Sequence, residues 1–80
     1  MLKMERLLEI LISIRPDVDF KNETSLVDGG FLDSFDIASI ISELNDEYNI
    51  SIRVTELIPE NFNSAEAILN MVRRLQDKAK

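Results

Sequence analysis

Apolar residues recur three and four apart in three stretches of the chain, the spacing that puts them on one face of a helix. The first stretch holds Met4, Leu7, Leu8, Leu11 and Ile14 and predicts a helix over residues 2–14. Pro16 ends it, because the residue before a proline is driven out of helical geometry. The second holds Ile37, Ile40, Ile41, Leu44 and Tyr48. Asp33 and Ser34 are both good N-cap residues for it, and Asn49 is a suitable stop. The third holds Ala65, Ile68, Leu69, Val72 and Leu75. Asn63-Ser64-Ala65-Glu66 reads as a capping box before it, and Arg73, Arg74 and Lys78 suit its C-terminal end.

The connections are less regular. Pro16, Asp17, Asn22, Ser25, Gly29 and Gly30 mark residues 15–33 as a long loop, with Val18, Phe20, Leu26, Val27, Phe31 and Leu32 expected to pin it to the core. Loops of this length are often functional. Ile50-Ser51-Ile52-Arg53-Val54 alternates like a strand but has no partner to pair with, so it is read as an extended linker. Thr55 caps an expected short helix, Glu56 to Ile58, stopped at Pro59. Three main amphipathic helices and one short one must bury their stripes against each other. The fold class predicted is therefore all-α, a small four-helix bundle with a long loop between helices one and two, residues 1–80 forming one domain.

Composition narrows the function. Hydrophobic residues make up 45% of the chain, enough for a packed core and too many for a disordered tail. Cysteine and histidine are absent, which removes disulfides, thiolate metal sites, cysteine nucleophiles and any Ser-His-Asp arrangement. No metal site is expected. A start like a calcium loop at Asp17-Val18-Asp19-Phe20-Lys21-Asn22 fails, with Lys21 at a ligand position and Asn22 where glycine is required. Gly29-Gly30 lacks the Lys-Ser/Thr pair of a phosphate-binding loop.

The net charge of −6 disfavours nucleic acid and anionic membrane surfaces as partners. No apolar run approaches the ~20 residues of a membrane span, and Met1-Leu2-Lys3-Met4-Glu5-Arg6 lacks the features of a secretory signal. A cytoplasmic monomer is expected. The charge is also uneven. Between Lys21 and Arg53 there is no basic residue, whereas Glu23, Asp28, Asp33, Asp36, Glu43, Asp46 and Glu47 all lie there.

That acidic stretch contains Asp28-Gly29-Gly30-Phe31-Leu32-Asp33-Ser34-Phe35-Asp36-Ile37: a serine in the first turn of an amphipathic helix, after a glycine-containing loop and between two aspartates. Taken alone, such a serine is an N-cap worth roughly 1 kcal/mol. With the helix order, the long first loop and the acidic second helix, the segment resembles the attachment site of acyl and peptidyl carrier proteins. The resemblance implies a carrier that is not itself an enzyme. It would hold acyl or aminoacyl intermediates as thioesters on a 4′-phosphopantetheine arm, which a transferase moves from coenzyme A onto Ser34. A phosphodiester anion at a helix N-terminus is electrostatically favoured, and Gly29 and Gly30 are expected to keep the approach to Ser34 uncrowded.

The resemblance also implies roles around Ser34. Asp33 would help the transferase hold Mg²⁺. Helix two would be the docking element, its surface comprising Asp33, Phe35, Asp36, Ala38, Ser39, Glu43, Asp46 and Glu47. Its charges would steer basic partners, namely the phosphopantetheinyl transferase, an acyl- or aminoacyl-loading ligase, and downstream synthase or transferase enzymes. Phe35 is either an outward anchor or packed against Phe31. Ser39, Ser42 and Asn45 depart from the acidic and apolar pattern of fatty-acid carriers. Gly30-Phe31-Leu32-Asp33-Ser34-Phe35 also looks similar to D-alanyl and other aminoacyl carriers. The resemblance therefore implies a specialised stand-alone carrier of a fatty-acid, polyketide or related pathway, with a D-alanyl or peptidyl-type aminoacyl carrier as the alternative. A different class of function, a small acidic adaptor with Ser34 only a cap, remains beside them.

Overall fold

The computed structural model describes residues 2–78. Four α-helices appear in the order α1 (Met4–Ile14), α2 (Ser34–Tyr48), α3 (Pro59–Phe62) and α4 (Ala65–Lys78), with a 3₁₀ turn at Val54–Glu56 before α3. No strand occurs among the described residues. α1 packs against both α2 and α4, α2 also touches α4, and short α3 lies on α4. Among the described residues no helix is long and apolar enough to cross a membrane.

Each stripe read from the sequence faces one core. Leu7 and Leu11 from α1, Ile40 and Leu44 from α2, and Ile68 and Val72 from α4 lose all contact with solvent there. Each such side chain contributes about 1.5–3 kcal/mol by leaving water. Phe62 of α3 and Met71 of α4 fill the same interior, as do Val18, Phe20, Leu26 and Leu32 from the first loop. The loop is thus part of the core, as its scattered apolar residues predicted; Val27 is half-buried, while Phe31 stays exposed.

The short elements differ from expectation. Pro59 begins α3 at its first position, where its missing N–H costs nothing, and Ile58 before it is extended as proline demands. The short helix expected over Glu56–Ile58 is instead a 3₁₀ turn beginning two residues earlier, and Glu56 anchors it through Arg74 at 3.0 Å and Asn61. The expected capping box before α4 is only half present. The Ala67 N–H donates to Ser64 Oγ at 3.0 Å, but a reciprocal bond needs an acidic or amide side chain where Ala67 stands.

The other stops hold. Asn49 ends α2 in the left-handed region at φ 55°, and its N–H donates to the Asn45 carbonyl. Residues 50–53 form neither helix nor strand, with Arg53 extended, and the Ile52 N–H donates to Asn45 Oδ1 at 3.0 Å. Asn45, read from the sequence as an outward departure in helix two, therefore fastens the linker to α2.

Candidate functional site

α2 begins at Ser34, and Asp33 is its N-cap. The Asp36 N–H donates to Asp33 Oδ1 at 2.8 Å, while the Asp33 N–H donates to Asp36 Oδ2 at 3.2 Å. This is a capping box with an aspartate in place of the usual glutamate. Two of the chain's seven clustered carboxylates are thereby committed to starting the helix.

Ser34 is left over by this arrangement. It is exposed, and among the described residues its hydroxyl enters no hydrogen bond. Ser34 and Phe35 stand in the first turn, where backbone N–H groups have no intrahelical acceptor. The site thus offers a free hydroxyl beside unpaired donors at the positive end of a 15-residue helix, which suits an anion attached to that hydroxyl.

Phe35 points outward and is 80% exposed, which decides between the two placements the sequence allowed. Ala38, Glu43 and Asp46 are also exposed, and Ser39 is half-buried. Glu43 and Asp46 make no ion pair among the described residues. Glu47 is engaged within the molecule: Arg6 of α1 donates to it at 2.7 and 3.0 Å, holding its carboxyl below the usual carboxylate range.

Asp36 departs most from expectation. Expected among the charges displayed to partners, it is only 8% exposed. It lies four residues before Ile40, on the flank of the buried stripe. Arg15, just after α1, supplies its counter-charge: Nη1 donates to Asp36 Oδ2 at 2.5 Å and to the Phe31 carbonyl at 3.1 Å. Nε and Nη2 grip Asp17 at 3.0 and 2.8 Å. These bonds to Asp17, then to Asp36, hold the guanidinium firmly protonated, and Arg15 in turn lowers the Asp17 carboxyl to about 2.

The loop before Ser34 is tied from a second side. The Leu26 N–H donates to the Asn63 carbonyl at 2.9 Å, and the Val27 and Asp28 N–H groups donate to Asn63 Oδ1 at 3.0 and 3.1 Å. Asn63 Nδ2 closes the clamp on Asp28 Oδ2 at 3.0 Å. The glycines serve this turn rather than clearance around Ser34. A Cβ on Gly29 would meet the Ser25 carbonyl at 2.6 Å and the Phe31 ring at 2.9 Å, and Gly30 adopts φ +79°, a region that favours glycine. Neither the Arg15–Asp36 bond nor the Asn63 clamp on residues 26–28 carried a signal in the sequence, since they join residues 21 and 35 or more positions apart.

Beside the start of α2, a groove of about 150 Å³ is lined by Val27, Ile37, Leu57, Ile58, Pro59 and Phe62. Ile37, one turn beyond Ser34, forms part of one wall.

Comparison with known proteins agrees with this geometry. The family model described as "Phosphopantetheine attachment site" matches residues 5–72. The chain is also 36% identical over 59 residues to the D-alanyl carrier protein of Streptococcus suis (strain 05ZYH33), an alignment covering 74% of this chain and 75% of that one.

Proposed function

The chain belongs to the phosphopantetheine-attachment family of carrier proteins, and from that premise we propose that Ser34 is its attachment residue and an amino acid its cargo. Members of the family are carriers and not catalysts, and they work with a phosphopantetheinyl transferase and with biosynthetic enzymes. When attached, the 4′-phosphopantetheine arm supplies a terminal thiol that bears cargo as a thioester.

One observation carries the assignment of Ser34. A serine at the start of a helix ordinarily spends its hydroxyl on capping, and here Asp33 and Asp36 do the capping between them. The Ser34 hydroxyl is therefore exposed and uncommitted, and the first-turn N–H groups stand ready for a phosphodiester. This disfavours the adaptor reading, in which Ser34 is only a cap.

The D-alanyl carrier relative, which matches across most of both chains, supports aminoacyl cargo. The docking face is less acidic than the sequence suggested, because Asp36 and Glu47 are turned to intramolecular partners. Phe35, Glu43 and Asp46 remain as an apolar anchor beside two free charges that steer and orient a basic partner.

Incubation with coenzyme A, Mg²⁺ and a broad-specificity phosphopantetheinyl transferase tests the site by intact mass. The wild type is expected to gain one phosphopantetheine and Ser34→Ala none. Absence of any gain with several transferases would refute the assignment. Charging of the loaded protein by a D-alanine-activating ligase, in competition with fatty-acyl ligases, tests the cargo.

A further inference from the structure

The part-buried Arg15–Asp36 pair joins the end of α1 to the first turn of α2, and the roles assigned to the exposed residues leave it unexplained. An internal carboxylate without a counter-charge is strongly unfavourable, and Arg15 supplies that charge to Asp36 beside the Asp33 N–H of the capping box. The same guanidinium bonds the Phe31 carbonyl three residues before Ser34 and fixes Asp17 after α1. Asp36 in turn receives the Asp33 N–H. One side chain therefore constrains the backbone on both sides of Ser34, through Phe31 before it and Asp36 after it, and ties both to the end of α1.

We propose that Arg15 is the positioning residue of the attachment site, holding the Phe31–Asp36 segment in one arrangement so that the Ser34 hydroxyl meets the transferase already placed for reaction. The inference rests on Ser34 being the attachment residue. Loading forms a bond from Ser34 Oγ to the phosphorus that bears the pantetheine unit of coenzyme A. The bond from that phosphorus to the bridging pyrophosphate oxygen breaks, adenosine bisphosphate leaves with the electron pair, and the hydroxyl proton passes to a base of the transferase. In-line displacement at phosphorus is sensitive to how the attacking oxygen is held. A hydroxyl on a loosened junction must be ordered anew in every encounter, whereas a held one need not be. Arg15 touches neither coenzyme A nor the reacting atoms and acts entirely through Asp36 and Phe31.

The test compares wild type, Arg15→Gln and Arg15→Lys in transferase kinetics and amide hydrogen exchange. Docking through Phe35, Glu43 and Asp46 is left intact, so Arg15→Gln is expected to lower kcat about tenfold with KM little changed. The Asp33 and Asp36 amides, protected by the capping bonds, should exchange about tenfold faster while those of α4 hold. Lysine keeps one donor for Asp36 but cannot also span Phe31 and Asp17, so its kcat should fall between the two. Ile68→Val, a core change far along the chain, controls for general destabilisation and should load at the wild-type kcat. Equal kcat in wild type and Arg15→Gln, with equal exchange at Asp33 and Asp36, would overturn the positioning role alone. Failure of the wild type to load would overturn the assignment of Ser34 and this inference with it. Should Arg15→Gln not fold, Arg15→Lys is read against the same criteria.

Discussion

Replacing Asp33 and Ser34 separately by alanine should have opposite consequences, although the residues are adjacent and both favour helix starts. Asp33 Oδ1 accepts the Asp36 N–H at 2.8 Å, and loss of such a cap costs about 1 kcal/mol, within a range of 0.5–2. Its charge at the helix N-terminus adds roughly 0.3 kcal/mol, the low end expected for an exposed group. Asp33→Ala should therefore cost about 1–2 kcal/mol. Among the described residues the Ser34 side chain makes no hydrogen bond that alanine would remove, and alanine is the better helix former by a few tenths of a kcal/mol. Ser34→Ala should therefore fall within about 0.5 kcal/mol of wild type, on the stabilising side if anywhere. Urea unfolding followed by helical circular dichroism resolves the difference. In a chain this short, Asp33→Ala should also lower Tm by roughly 5–10 °C. Equal losses for both variants would mean that the Ser34 hydroxyl has a structural duty. The argument for its availability would then collapse, whatever the loading assay gave.

Two further outcomes follow from other groups. The Tyr48 hydroxyl is buried without a hydrogen-bond partner among the described residues, and desolvation, followed by the Glu47 charge, raises its pKa. Tyr48→Phe should leave stability at neutral pH unchanged or higher by up to about 1–3 kcal/mol. It should also remove a loss of stability that sets in as pH rises above ~10, where the unfolded tyrosine ionises first. A clear destabilisation in Tyr48→Phe would refute this. Asp17 has the opposite sign: its carboxyl is held at about 2 by Arg15, so its contribution is present above the ordinary carboxylate range, ~4, and is lost as pH falls towards 2. Urea titrations at about pH 6 and pH 3 should show a smaller acid loss in Asp17→Asn than in wild type; equal losses would contradict the ion pair.

The long helices were legible because their evidence is local: a stripe such as Leu7, Leu8 and Leu11 needs only the 3.6-residue period to declare itself. Pro59 was misread because proline both ends helices and begins them. The residues after it, Glu60-Asn61-Phe62, gave too short a pattern to choose between the two. Asp36 carried two unheeded signals, its place four residues before Ile40 and its spacing of three from Asp33, the interval of a capping box. The ion pairs were out of reach. Arg15 with Asp36 and Arg6 with Glu47 are joined over 21 and 41 residues by helix packing, and a single sequence contains no term that selects one basic residue for one acid. Ser34 itself was found as a motif, but its freedom from capping duty became visible only with the side chains of its neighbours in place.

The Asn63 clamp sets the order in which the chain can complete itself. Residues 26–28 take their backbone partners from one residue 35 or more positions downstream, so a ribosome that has just released Ser34 has not yet made the part that steadies the turn before it. Closing so wide a span costs chain entropy that only the assembled core repays. The turn leading into Ser34 is therefore a late product of folding, completed once the α3–α4 junction has docked, and nascent or truncated chains ending before residue 63 would offer the serine on an unfinished support.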